Sequence, residues 1–161
     1  MSGPPCMTCV SLNLAKTREQ IERDEGVVYE IYVCPLGHLT FGVGHLIRAE
    51  DPEHGMDVGT PVSRERVEEA FDNDLRDVLR DLKRLFGEEQ WHAFPGEVKS
   101  ILVNMCFNLG VTRLGRFKKT IAAIKDQDYE TAAVEMRDSL WYQQVRKRAE
   151  RLARRMEMLG D

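Results

Sequence analysis

The sequence predicts an α+β fold that is mainly α-helical, has two lobes and places a small antiparallel sheet in the N-terminal lobe. Residues 27–47 are rich in β-forming residues and turn signals, whereas the chain after residue 62 follows helical periodicity almost throughout. The first helix of that part, residues 63–86, would be roughly 36 Å long at a rise of about 1.5 Å per residue. Because so long a helix cannot be buried on one small lobe, we expect it to connect two.

The domain organisation follows from the order of these segments. Residues 1–11 are expected to form a flexible tail, and residues 12–161 a single domain. The domain is predicted to consist of an N-terminal lobe at about residues 26–62, the connecting helix at about residues 63–86, and a helical lobe at about residues 87–161 together with the first helix, residues 12–25.

Within the β-rich segment, turn-forming residues 35–37 separate two strand-like runs. The second run alternates strictly, with Leu39, Phe41 and Val43 on one face and Thr40, Gly42 and Gly44 on the other. We expect the large residues to pack onto a core. The opposite face has one hydroxyl and two glycines, so a ligand can approach the backbone closely and this face is expected to form the floor of a cleft. A bend or bulge is the alternative explanation for the glycines.

The helices are predicted from apolar periodicity and from their end signals. Gly26 is placed to end the first helix, and Ser63 is a good N-cap for the connecting helix, with Glu65 in its first turn. Further helices are predicted at residues 98–109, 118–125, 129–136 and 146–159.

Composition excludes several classes of protein. No apolar run approaches about 18 residues, so no membrane span is expected. No secretion signal is readable, so we expect cytoplasmic synthesis with release or non-classical export. The net charge of −4 gives no basis for nucleic-acid binding, although residues 111–161 hold 12 Lys and Arg against 8 Asp and Glu. This basic part either attracts an anionic polymer or simply solvates helix surfaces. A monomer is the default expectation.

The four cysteines fall into three groups. Cys6 and Cys9 form a lone CxxC pair without a second pair or a nearby His, so a zinc site is not expected. A local disulfide and two free thiols both remain open for this pair. Cys106 lies in an apolar run and is expected to act as a small buried hydrophobe. Cys34 belongs to a motif.

That motif is Glu25, eight residues, Cys34, five residues, Thr40. It resembles the active-site segment of the phage-type lysozymes, glycoside hydrolase family 24, in which a Glu, an Asp or Cys, and a Thr flank the sugar bond. Further stretches similar to the family are residues 71–74, 104–110, 132–134, 141–142 and 148–151, so the resemblance covers roughly residues 14–155. The chain departs from the family in its longer N-terminal tail, in ending soon after Met158, and in having Cys34 where Asp is frequent.

The resemblance assigns catalytic roles to the three motif residues. Glu25 is expected to be the general acid that protonates the leaving glycosidic oxygen. The negative end of the first helix and the neighbouring Asp24 both favour the protonated carboxylic acid that this role needs. Thr40 offers a hydroxyl to orient a water, and Cys34 occupies the second catalytic position.

Six further residues match family positions. Leu46, Phe107 and Thr120 are expected to bind substrate, although Leu46 and Phe107 are equally compatible with core positions. Glu135 replaces an Asn at another cleft position. The supporting residues are Arg148, which either reaches the catalytic Glu25 or is an exposed helix arginine, and an ion pair between His45 and Asp74.

The resemblance implies an endo-acting muramidase that cleaves the β-1,4 bond between N-acetylmuramic acid and N-acetylglucosamine in peptidoglycan and lyses bacteria. It implies no cofactor, no metal, and the bacterial cell wall as partner. Two alternatives are a lytic transglycosylase that uses Glu25 alone and a non-catalytic wall-binding module.

Overall fold

A computed structural model describes residues 12–160, so the predicted tail and the Cys6/Cys9 pair lie outside the described residues. The prediction of a mainly helical α+β fold with a small antiparallel sheet near the N-terminus is confirmed. The elements are α1 Leu14–Glu25, β1 Val28–Val33, β2 Leu39–Gly42, β3 His45–Leu46, α2 Arg64–Phe86, α3 Glu88–Ala93, α4 Gly96–Leu109, α5 Val111–Leu114, α6 Lys118–Lys125, α7 Tyr129–Arg137, α8 Leu140–Gln144 and α9 Arg146–Met158. They divide into two compact units, residues 18–77, and residues 12–17 with 78–160.

The sheet of the first unit has the strand order β1-β2-β3, with both pairs antiparallel. A tight turn joins β1 to β2, in which the backbone N–H of Gly37 donates to the Cys34 carbonyl at 2.8 Å and that of Cys34 to the His38 carbonyl at 2.9 Å. The register places Thr40 opposite Tyr32 on one side and opposite Leu46 on the other. The turn therefore fixes Cys34 and Thr40 in neighbouring positions of one hairpin.

The predicted alternation from Leu39 to Gly44 holds for buried Phe41 and Val43 but is wrong at Leu39 and Thr40, and the strand does not extend to Gly44. Leu39 is 37% exposed and Thr40 only 1%, the reverse of the prediction, although Phe41 is fully buried as expected. Leu39 lies at the free end of the hairpin, where no core is available to cover it. The strand ends at Gly42 because Gly42 and Gly44 both have a φ of 64°, which breaks the pleat and turns the chain into β3.

The ends of the long helices are set by the predicted side chains, with one exception. Ser63 caps α2, since its Oγ accepts the backbone N–H of Arg66 at 3.1 Å. Gly26 follows α1 with a φ of 77°. Helix α1 begins at Leu14 and not at residue 12, because the Asn13 side chain accepts the Lys16 N–H at 3.1 Å and acts as its cap.

The core of the second unit is built around α4, an almost entirely buried helix whose C-terminal neighbour Gly110 has a φ of 81°. The predicted helices α6, α7 and α9 are present within one or two residues of their expected ends. The sequence pattern did not predict the short helices α3, α5 and α8. Buried Trp141 donates from Nε1 to Asn108 Oδ1 at 2.7 Å. No helix in the described range is long and apolar enough to cross a membrane.

Candidate active site

Glu25 is the last residue of α1, and its carboxylate lies against the turn between β2 and β3. A Cβ atom placed on Gly44 would be only 2.9 Å from Glu25 Oε1, and the φ of 64° at Gly44 is one that glycine adopts readily. The close approach predicted at this glycine is therefore made by the Glu25 side chain itself. Gly42, by contrast, packs against Val67 of α2, with Cγ1 3.1 Å from the position of a Cβ.

Cys34 lies beside Thr40 in the hairpin and is partly exposed. Hydrogen bonding from the His38 backbone, with smaller contributions from the Leu36 backbone and the Thr40 side chain, lowers the pKa of the Cys34 thiol despite partial desolvation. The Thr40 hydroxyl also donates to the His38 carbonyl at 2.9 Å. The structure thus brings together the two motif residues that the sequence placed in the hairpin.

Tyr32 is a site residue that sequence reasoning missed. Burial raises the pKa of its hydroxyl, and the negative charges of Cys34 and Glu25 raise it further. Cys34 and Glu25 are close enough to Tyr32 for their charges to act on its hydroxyl, and Thr40 is paired with Tyr32 on the neighbouring strand. All three motif residues are therefore grouped near Tyr32. The only signal in the sequence was its position two residues before Cys34, on the same face of a strand.

His45 is buried between two carboxylates. Its Nδ1 is 2.7 Å from Asp74 Oδ2, the partner expected from the sequence, and its Nε2 is 2.7 Å from Asp51 Oδ2, which was not predicted. Burial opposes protonation of the ring, but the hydrogen bonds to Asp74 and Asp51 outweigh it and raise the pKa of His45. Asp51 was missed because it lies in an irregular segment with no periodic pattern.

Two arginines extend this ion cluster. Arg66 donates to Glu53 at 2.8 and 2.9 Å and to Asp51 at 3.2 Å, and its guanidinium lies 5.5 Å from the centroid of Phe41. Arg48 contacts Asp74 at 3.3 Å. The cluster fastens the β3 strand and the loop after it onto α2, which contributes Arg66 and Asp74. It thereby holds the turn that carries Gly44.

The remaining predicted residues are distributed over both units. Leu46 of β3 is 49% exposed and therefore is not a core residue. Phe107 is partly buried on α4, and Thr120 is buried on α6. Thr120 and Glu135 line the same surface pocket of about 410 Å³ in the second unit.

Arg148 is buried on α9, so it is not an exposed helix arginine. Its Nε donates to Asn104 Oδ1 at 2.8 Å, which fixes the guanidinium against α4. Asn104 therefore acts as a partner that the sequence did not indicate. Within residues 12–160, no group of three or more His, Cys, Asp or Glu side chains is arranged to hold a metal ion.

Comparison with known proteins identifies the family. The family model for phage lysozyme matches residues 22–158, which include every candidate site residue named in this subsection. The chain belongs to the phage lysozyme family.

Relatives of the chain occur in viruses and in a cellular organism. The chain is 32% identical over 150 residues to the pre-baseplate central spike protein Gp5 of Enterobacteria phage T4, covering 83% of this chain and 26% of that protein. It is 24% identical over 156 residues to the probable T4-type lysozyme 2 of Dictyostelium discoideum, covering 86% and 92%. It is 29% identical over 156 residues to the peptidoglycan hydrolase gp36 of Pseudomonas phage phiKMV, covering 97% and 17%. The chain thus spans about a quarter of the spike protein.

Proposed function

We propose that this protein is an endo-acting muramidase that cleaves the β-1,4 bond between N-acetylmuramic acid and N-acetylglucosamine and so lyses bacteria. The observation that carries the proposal is the grouping of Glu25, Cys34 and Thr40 around Tyr32 in one unit. This grouping supplies a carboxylic acid, a thiol of lowered pKa and a hydroxyl, which are the groups that acid-assisted cleavage of an acetal needs.

Glu25 is assigned the role of general acid. A glycosidic oxygen is a poor leaving group, so it must receive a proton as the bond to the anomeric carbon breaks. The contact with Gly44 restricts the Glu25 carboxyl to one side of the turn, which reduces the number of orientations it has to lose on binding substrate. The resemblance assigns to Arg148 the role of positioning the catalytic Glu25, and we propose that role here.

Cys34 is assigned the second catalytic position. Its thiolate, favoured by the hairpin hydrogen bonds, carries the negative charge that an Asp would carry opposite the oxocarbenium-like transition state. Attack by the sulfur on the anomeric carbon expels the leaving oxygen, protonated by Glu25, and forms a glycosyl-thioether that water then hydrolyses, with net retention. Direct attack by a water held by Thr40 gives inversion. The anomeric configuration of the first product, read by proton NMR, distinguishes the two routes.

Leu46, Phe107 and Thr120 are proposed to bind the glycan. The exposed side chain of Leu46 and the pocket beside Thr120 are surfaces that a sugar ring can contact. The Glu135 carboxylate beside Thr120 offers only acceptors, where an amide would offer both donors and acceptors. We therefore expect sugar hydroxyls, which can donate, to be the partners of Glu135.

The variant Glu25→Gln tests the proposed function. The amide has nearly the same shape but cannot deliver a proton, so clearing of a purified cell-wall suspension should slow by about 10²–10⁴-fold. Circular dichroism and the unfolding midpoint are measured in parallel to show that the variant is folded. Clearing at a near wild-type rate by folded Glu25→Gln would contradict the assignment, and failure of the wild type to release any fragment would leave only wall binding.

A further inference from the structure

Helix α9 and Tyr142 of α8 form a shallow groove of about 520 Å³ whose lining is mostly cationic. It is lined by Tyr142, Arg146, Lys147, Glu150, Arg151 and Arg154. None of the residues proposed above for catalysis or substrate binding lines it. Lys147, Arg151 and Arg154 follow one another at spacings of four and three residues, so they share one side of the helix and rise by about 6 and 4.5 Å along its axis.

The one carboxylate in the groove, that of Glu150, is already hydrogen-bonded to other side chains of the protein. Glu150 accepts hydrogen bonds from Arg137 at 2.9 and 3.1 Å and from the Tyr142 hydroxyl at 2.8 Å. The bond from Arg137, followed by that from Tyr142, lowers the pKa of Glu150 to about 2. Glu150 therefore stays ionised. Its carboxylate binds Arg137, which also binds Glu157, and lies 3.9 Å from Arg154, so it offsets one of the four cations that line the groove. The groove as a whole keeps an excess of positive charge.

The groove also has an aromatic part. The Arg146 guanidinium lies 5.9 Å from the centroid of the Tyr142 ring, and the bond to Glu150 holds that ring in place. A fixed aromatic face beside a row of cations can contact the C–H groups of a polyol while the cations contact its anionic substituents. These features describe a surface for an anionic carbohydrate-like chain.

We propose that this groove binds a phosphodiester-linked wall polymer of the poly(glycerol phosphate) class and so holds the enzyme on the cell wall. Such a polymer carries one negative charge per repeat and no ammonium group, which matches a row of cations whose carboxylate is already engaged. The peptide stems of peptidoglycan carry ammonium as well as carboxylate groups and match less well. Nucleic acid is disfavoured because the groove offers one aromatic ring, Tyr142, for base stacking and the cationic row covers only about two helical turns.

The test is the binding of fluorescent poly(glycerol phosphate) oligomers to the full chain, followed by anisotropy. The triple variant Lys147→Gln, Arg151→Gln, Arg154→Gln should bind about tenfold more weakly than the wild type at low salt, since charge contacts are poorly screened there. The control is Arg64→Gln, Arg84→Gln, Lys125→Gln, which removes the same charge from exposed positions outside the groove and should change affinity less than about twofold. Because binding is read directly, the result does not depend on hydrolysis.

Several outcomes would overturn the proposal. Equal affinity of the wild type and the groove variant would show that the polymer binds elsewhere, and an equal loss in the control would show that only total charge matters. Tighter groove-dependent binding of single-stranded DNA, or of a muropeptide with free stem carboxylates, would assign the groove to another ligand. If the triple variant is unfolded by circular dichroism, Lys147→Gln and Arg154→Gln are measured singly, each with about a twofold loss expected.

Discussion

At the scale of single residues, the clearest contrast is between the two cysteines of the described range. Cys34 is partly exposed and its pKa is lowered by hydrogen bonds in the hairpin, chiefly from the His38 backbone. Burial raises the pKa of Cys106 to about 12. The thiolate is the reactive form of cysteine, so the two thiols are expected to differ strongly in chemistry as well as in position.

This contrast leads to a prediction about Cys34. Cys34→Ala should reduce wall hydrolysis by about 10²-fold or more, and Cys34→Asp should restore much of the activity by returning a negative charge to the site. In a Cys6→Ser, Cys9→Ser background, iodoacetamide should inactivate the enzyme with a pH midpoint below about 8.5. It should not inactivate the same background carrying Cys34→Asp.

Cys106→Ala is the matched control for the thiol experiment, because removal of the Cys106 thiol should leave the rate of inactivation by iodoacetamide unchanged. Full hydrolysis by Cys34→Ala would dismiss a catalytic role for the thiol. The proposed mechanism would then rest on Glu25 and a water held by Thr40.

Gly44 is expected to be needed for activity as well as for the turn. Gly44→Ala places a Cβ 2.9 Å from Glu25 Oε1 at a φ of 64°, so the carboxylate or the turn must move. We expect a cost of about 1–2 kcal/mol in the free energy of unfolding from the backbone conformation. A displacement of the acid by about 1 Å would lower the hydrolysis rate by about 10²-fold.

Gly59→Ala separates these two effects. Gly59 has a φ of 92°, but a Cβ there would meet nothing within 4 Å. The Gly59→Ala variant should therefore lose a similar amount of unfolding free energy, measured by denaturant unfolding, and should keep the wild-type hydrolysis rate. Equal rates for Gly44→Ala and Gly59→Ala would show that the contact with Gly44 does not position Glu25.

At the scale of elements, the ion cluster around His45 joins β3 to α2 and should make stability depend on pH. The raised pKa of His45 means that its contribution to stability is full below the unfolded value of about 6.5 and is lost as the pH rises through the folded value. Desolvation opposes ionisation of Asp51, but hydrogen bonds from the Arg48 backbone and from His45 lower its pKa. The contribution of Asp51 is therefore lost as the pH falls through its folded value.

His45→Asn tests the cluster. The free energy of unfolding should be lower in His45→Asn than in the wild type by about 1–3 kcal/mol near pH 6. The variant loses the charged ring between Asp51 and Asp74, although each carboxylate keeps an arginine partner. This difference should shrink as the pH is raised toward about 10. A difference that stays constant over this range would mean that the charged form of His45 does not stabilise the fold.

The elements also show what the sequence could predict. The bounds of α2 followed from Ser63 and from apolar periodicity, both of which are local properties of the chain. The strand expected over residues 39–44 stops at Gly42 because a positive φ there ends the pleat, and glycine permits such a φ without requiring it. Asp51 was missed because its pairing with His45 depends on how an irregular loop folds back.

At the scale of the whole molecule, the fold class and the motif were predictable, whereas the surroundings of the motif were not. The spacing of Glu25, Cys34 and Thr40 carried the family resemblance, which the match over residues 22–158 establishes. The role of Tyr32 and the contact between Glu25 and Gly44 depend on tertiary packing, which no spacing reports. The basic C-terminal part was visible as a charge count, but its concentration in one groove required the helix positions.

The most direct test of the central claim is the chemical identity of the ends that the enzyme leaves on purified peptidoglycan. Digests by wild type and by Glu25→Gln are reduced with borohydride, separated and analysed by mass spectrometry. We predict fragments ending in reduced N-acetylmuramic acid from the wild type and almost none from Glu25→Gln. Fragments ending in 1,6-anhydro-N-acetylmuramic acid, which contain no added water, would contradict hydrolysis and indicate a transglycosylase instead.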